Sequence, residues 1–310
     1  MVAPADPHAP FQEYANPTSL VSAAWLSARL GTKGLVVIEC DEDSVLYDIG
    51  HLPSAIRLNF NDDLTDPLTR DIIDGEQFAE LMSTKGISRD DTIVLYGDKA
   101  NWWAAYAYWV FKLFGHEDVR LLDGGRDAWM TEERDTSYMV PERPETEYPV
   151  TTRNDEQFRI FVSELKDIVE AGSKKHVVVD SRAEAEYNGI TRSQTPTENE
   201  GVENRYSTAV SSAIDPHAHA ARRHGHIPGA VNITWTSAVR PNMCFRSMDE
   251  LKDAYSEVVE AHDIILYSHL GAQSALTWFV LTELLGATSV RHYDGSWAEW
   301  GNMVRMPVER

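Results

Sequence analysis

A chain of 310 residues, 43% of them hydrophobic, is longer than one core usually takes, so two globular domains are expected. A net charge of −21 argues against a nucleic-acid or anionic-membrane partner, and no apolar run approaches the length of a membrane span. The two cysteines, Cys40 and Cys244, lie far apart, provide no disulfide framework and fit a reducing, cytoplasmic setting.

The opening Met1-Val-Ala-Pro-Ala-Asp-Pro has neither a basic start nor an apolar centre. Residues 1–18 therefore predict a disordered tail, not a secretion signal. A first domain is expected over 19–135, with helices at 22–30, 76–85 and 101–113 and buried strands at 35–38, 92–96 and 119–122. Residues 136–155 carry three prolines and several glutamates without periodicity, and predict a linker. The second domain, 156–310, repeats the alternation, with strands at 177–179, 231–233, 264–267 and 290–293 and helices at 247–255 and 275–285. Strand–helix alternation with wholly apolar strands indicates an α/β fold, each half a mostly parallel sheet flanked by helices. A polar insertion at 188–224 predicts disorder or a loose flap, because so long a connection is unusual inside a compact domain.

The two halves are copies. Asp123-Gly-Gly-Arg-Asp-Ala-Trp129 returns as Asp294-Gly-Ser-Trp-Ala-Glu-Trp300, 171 positions later. At the same offset, Ile93-Val-Leu-Tyr96 returns as Ile264-Ile-Leu-Tyr267 and Leu113-Phe-Gly115 as Leu284-Leu-Gly286. His51-Leu-Pro-Ser-Ala-Ile56 returns as His226-Ile-Pro-Gly-Ala-Val231 at an offset of 175.

The functional argument centres on the loop Ser268-His269-Leu270-Gly271-Ala272-Gln273-Ser274. It connects an apolar strand to a helix-period segment, so several backbone N–H groups should converge there and bind a small oxyanion. Ligands of parallel α/β sheets sit outside the carboxyl ends of the strands, where this loop falls.

Tyr47-Asp-Ile-Gly-His-Leu-Pro-Ser-Ala55 and Val290-Arg-His-Tyr-Asp-Gly-Ser-Trp-Ala-Glu-Trp300 resemble the amino- and carboxy-terminal signatures of tandem-domain rhodaneses. Asp41-Glu-Asp43, Asp48 and Gly97-Asp-Lys99 with Asn101-Trp-Trp103 resemble the actinobacterial thiosulfate sulfurtransferases of that group. The resemblance runs from about Ser19 to Val308 and implies two rhodanese-like domains, the first a non-catalytic copy. It also implies an active loop of the form Cys-Arg-x-Gly-x-Arg/Thr-Ser in the second. Here Ser268 stands for the cysteine, His269 for the first arginine and Gln273 for the second, while Gly271 and Ser274 remain. The family moves sulfane sulfur from thiosulfate through a cysteine persulfide to a thiophilic acceptor such as cyanide. A serine oxygen carries no such sulfur. The expectation is therefore a protein deficient in persulfide transfer that keeps an oxyanion-binding loop for thiosulfate or sulfate. The alternative is an active sulfurtransferase with an atypical site. No cofactor is expected; a protein partner is compatible with either reading.

Asp180, Arg182 and Glu186 resemble the family's Asp-x-Arg…Glu-Tyr element. They read equally as a second layer orienting the loop and as a strand-end ion pair. His217, His219, His224 and His226 have no fixed spacing on an element and predict a solvated loop, not a metal site. His269 beside Ser268 makes a poor Ser–His pair, because successive loop residues point apart. Cys244, in a turn before a helix, reads as an inert thiol. Trp102, Trp103 and Trp109 read as packing.

Overall fold

Short runs of Val, Ile and Leu, apolar at consecutive positions, become strands buried on both faces. The computed structural model describes residues 3–41, 45–172, 175–191 and 221–310. In the first half β1 (Leu20–Val21), β2 (Leu35–Asp41), β3 (Ile56–Asn59), β4 (Thr92–Tyr96) and β5 (Val119–Leu122) form an all-parallel sheet in the order β1-β5-β4-β2-β3. In the second, β6 (His176–Asp180), β7 (Val231–Asn232), β8 (Asp263–Tyr267) and β9 (Val290–His292) are parallel in the order β7-β6-β8-β9. A single parallel bridge from Arg159 to His292 takes the place on β9 that β1 takes on β5.

Two units result: residues up to Asn154 together with Asn242–Phe245, and Asp155–Pro241 with Arg246–Arg310. No helix among the described residues is long and apolar enough to cross a membrane. Helix Trp102–Leu113 is apolar on every side and almost wholly buried, so Trp102, Trp103 and Trp109 are core residues of the first unit. Trp103 packs on Phe60, ring centroids 4.3 Å apart.

The repeated His-Leu/Ile-Pro motifs do the same work twice. His51 stacks on Tyr47 at 3.8 Å, and the Tyr47 hydroxyl donates to the Ala55 carbonyl at 2.7 Å. His226 stacks on Tyr187 at 3.7 Å, and Tyr187 donates to Ala230 at 2.6 Å. The turn between them needs a left-handed residue, at φ 76° in Gly229 and 65° in Ser54. Glycine meets that requirement without strain; serine does not.

The buried polar clusters are more revealing, because the halves build the same one from different residues. Beside β2, the Glu39 carboxylate accepts from Tyr96 Oη and, at 2.9 Å, from Arg126 Nη1. Arg126 also donates to the Gly50 carbonyl. In the second unit Asp180 replaces Glu39 and Tyr267 replaces Tyr96. Arg182, two residues past Asp180, binds it and donates to the Gly225 carbonyl at 2.9 Å. Trp297 sits in sequence where Arg126 would fall, and Arg182 lies over its ring at 4.6 Å. The guanidinium has moved to another element and its old position has become its aromatic floor.

Two expectations are corrected. The tail is not disordered over its described part: Ala9–Glu13 is a 3-10 helix, and Phe11 and Asp6 are buried. Asp6 accepts from the Ser22 amide at 2.7 Å and hydroxyl at 2.6 Å, and Ser22 in turn caps helix Ala23–Ser27. Arg120 clamps the Pro4 carbonyl at 2.8 Å. Asp6→Ala leaves these donors without an acceptor and is expected to lower unfolding free energy by about 1–3 kcal/mol. An unchanged urea midpoint would show the tail to be incidental. Residues 136–154 are likewise no free linker but a strap belonging to the first unit. Tyr148 is buried, its hydroxyl 2.7 Å from His116 Nδ1, and Ser137 bridges to His51.

Of the insertion at 188–224, residues 192–220 lie outside the described ones, and with them His217 and His219; Asp43 does too. At its end Arg223 donates to the Trp300 and Met306 carbonyls, and His224 Nδ1 is 3.2 Å from the Gly189 carbonyl. His226 belongs to the stacked motif above. Among the described residues no group of His, Cys, Asp and Glu could hold a metal ion.

Candidate functional site

Strand β8 ends at Tyr267, and the chain turns through Ser268, His269, Leu270 and Gly271 into helix Ala272–Phe279. Gly271, at φ 88°, supplies the left-handed step that lets the turn close. The first amides of a helix have no partner inside it, so those of Ala272, Gln273 and Ser274 form the positive end of the loop.

The loop is held from behind by the sequence Asp294-Gly-Ser-Trp. Ser268 donates its amide to Ser296 Oγ at 3.1 Å, and Ser296 Oγ donates to the Tyr293 carbonyl at 3.0 Å. The Trp297 and Ala298 amides donate to the Ser268 and His269 carbonyls at 2.9 and 3.0 Å. This explains why the signature recurs at the end of each half: it fixes the loop.

Ser268 itself is 0% exposed. Its hydroxyl oxygen accepts from the Gly271 amide and from Ser274 Oγ, both at 3.1 Å. Ser274 Oγ also lies 3.0 Å from the Gly271 carbonyl and 2.8 Å from His292 Nε2. A chain of Ser268, Ser274 and His292 therefore crosses the base of the loop. His269 is not among the partners of Ser268, so the geometry of a Ser–His pair is not met. His292 is the residue that sequence reasoning missed. It lies 18 positions beyond Ser274 on another strand, and no local pattern joins them.

His292 is a weak base here. Burial first, and then the nearby Arg159 cation, push its pKa down to about 3. In the unfolded chain a histidine takes its proton near ~6.5. Below that value the unfolded chain binds the proton and the folded one does not. The stabilisation is therefore full above about pH 6.5 and is lost as pH falls toward the folded value. The urea midpoint is expected to drop between about pH 7 and about pH 5. His292→Gln, which keeps an acceptor for Ser274, should flatten that slope; an equally steep slope would move its origin elsewhere.

His269 and Gln273 are both buried, and Gln273 Oε1 takes no hydrogen bond among the described residues. Asp180, Arg182 and Glu186 are buried around the end of β6. Burial opposes the charge on Arg182, but Asp180 and the Tyr267 oxygen outweigh it, and the guanidinium is held above its ordinary range. Glu186 Oε2 accepts from the Ala183 amide at 3.3 Å, closing its own short helix. Asp180 and Arg182 make a buried ion pair at the end of β6, and Glu186 makes a cap.

The first copy of the loop is built differently. Lys99, Ala100 and Asn101 are all left-handed, at φ 48°, 55° and 66°. The Asn101 side chain turns back, accepting from the Gly97 amide at 2.9 Å and donating to the Leu122 carbonyl at 2.7 Å.

Neither cysteine belongs to the 268–274 loop. Cys40 is buried on β2, where burial, with Asp41 and Glu39 beside it, pushes its thiol well up. Cys244 is half-buried and belongs to the first unit.

A rhodanese-like domain model matches residues 22–132 and 161–303. The chain is 56% identical to the thiosulfate sulfurtransferase of Corynebacterium glutamicum, covering 100% of this chain and 96% of that one. It is 42% identical to the sulfur carrier protein TtuD of Thermus thermophilus, covering 96% and 98%. The crystal structure of YnjE shares the fold, with a TM-score of 0.76 over 96% of this chain and 70% of that one at 22% identity.

Proposed function

Because the chain belongs to the rhodanese family, we propose that it is a member of the thiosulfate sulfurtransferase group that keeps the oxyanion loop at 268–274 and lacks persulfide transfer. The observation that carries this reading is the buried hydroxyl of Ser268, engaged by Gly271 and Ser274, where the family resemblance calls for a thiolate. A thiol has a pKa of about 8.5 that a helix N-terminus and nearby cations can lower below neutrality. An alcohol stays protonated under the same influence, and oxygen cannot hold a transferable sulfane sulfur. His292, depressed to about 3, gives little help as a base. The ligand would be a small sulfur-containing oxyanion, thiosulfate or sulfate, met by backbone amides in a chain whose overall charge repels it. The cytoplasm is the setting this chemistry suits, and a protein partner is in keeping with the sulfur carrier among the relatives.

The second reading, an active sulfurtransferase with a displaced nucleophile, is favoured only by the half-buried Cys244. A thiosulfate:cyanide assay before and after iodoacetamide separates the two. The expected result is no thiocyanate beyond the uncatalysed rate in either sample; sustained turnover abolished by alkylation refutes the proposal. For the loop, thiosulfate or sulfate should raise the thermal midpoint where chloride at equal ionic strength does not. Equal shifts from all three would remove the oxyanion site.

A further inference from the structure

The first unit holds a groove of about 430 Å³ that the loop chemistry does not use. Arg57 on β3 forms one side, Lys85 after helix Gly75–Thr84 another, and the strap residues Val140, Pro141 and Arg143 the third, with Asp48 also lining it. Three cations beside one carboxylate are unusual on so acidic a chain.

The three cations are not equivalent. Lys85 Nζ is held by the Arg57 carbonyl at 2.9 Å and by Asp63 at 3.0 Å. Arg143 donates to the Gly86 carbonyl at 2.8 Å, with Asp91 at 3.8 Å. The Arg57 guanidinium alone makes no hydrogen bond or ion pair among the described residues. Its forked donors are open, while its neighbours are fixed and partly neutralised. Beside them Val140, 65% exposed, presents an uncovered apolar wall.

We propose that this groove binds a small organic carboxylate with an apolar body. A planar carboxylate takes two parallel N–H bonds from one guanidinium, which is what Arg57 offers. Its apolar part covers Val140 and Pro141. Asp48 on the same wall and the engaged charges of Lys85 and Arg143 disfavour a dianion, which would need a second open cation. The volume suits a ligand of that size. The site stands on residues separate from the 268–274 loop and on an independent observation.

The test uses the full chain and 4-fluorobenzoate, followed by fluorine NMR. Saturable binding is expected, and Arg57→Gln should weaken it at least about tenfold. Val140→Asp, at an exposed position, should weaken it similarly and guards against a folding defect in the first variant. 4-Fluorobenzamide should bind more weakly by about the same factor, and 4-fluorophenyl phosphate no more tightly. Ser274→Ala should leave binding unchanged. The proposal is overturned if no saturable binding occurs, if neither Arg57→Gln nor Val140→Asp weakens it, if the amide binds equally, if the phosphate binds tighter, or if only Ser274→Ala abolishes it.

Discussion

Replacing Arg182 with methionine is expected to lower the stability of the full chain by about 3–5 kcal/mol, the usual cost of stripping one partner from a buried ion pair. Arg182 is fully buried. It satisfies Asp180, donates to the Gly225 carbonyl and lies over the Trp297 and Tyr267 rings at 4.6 and 5.6 Å. Methionine can fill some of the space on the tryptophan, but it leaves the Asp180 carboxylate buried without its counter-charge. The double change Arg182→Met with Asp180→Leu should recover a large part of the loss, because an apolar pair needs no solvation. Arg126→Met should have a similar effect through Glu39, its partner at 2.9 Å. Urea unfolding reads all three variants. A loss under about 1 kcal/mol from Arg182→Met, the range of a solvent-screened surface pair, would show that Asp180 finds other compensation.

The second large effect concerns activity. Ser268→Cys alone is expected to give little thiocyanate in the thiosulfate:cyanide assay. Adding His269→Arg and Gln273→Arg should raise it by about two orders of magnitude, the scale of one or two charge-assisted contacts to an anionic substrate. The single change supplies a thiol in the field of the Gly271 amide and the helix terminus, which favours the thiolate. It does not supply the cations that would hold the sulfonate end of thiosulfate. Histidine is not the permanent cation that arginine is, and glutamine is never charged. Full activity from Ser268→Cys alone would show that the backbone amides suffice, and that the loop has lost one atom and nothing else.

Much of the architecture was legible because buried parallel strands write themselves as continuous apolar runs. Thr92–Tyr96 and Val119–Leu122 occur with the expected bounds, and Trp102–Leu113 begins one residue later than expected. Ile56–Asn59 escaped because it is a short edge strand carrying Arg57 and Asn59, polar residues that break the run. The tail and the strap were misread for a related reason. Their prolines and acids look like solvated chain, and only partners remote in sequence, Ser22 for Asp6 and His116 for Tyr148, bury them. At the loop, the strand–turn–helix geometry followed from local pattern, whereas the contact from Ser274 to His292 did not.

What the sequence determined alone is whatever depends on neighbours along the chain: the duplication, the strand and helix periods, the glycine turn, and a serine as the first residue of the 268–274 loop. What only the tertiary structure decided is which distant groups meet. Arg182 and Arg126 reach equivalent carboxylates from different elements, His292 underlies the loop, and Arg57 is left with open donors beside an apolar wall. The division has a physical cause. Backbone propensity and burial pattern act over a few residues, while a buried charge must be matched in space, and the chain can bring that match from anywhere.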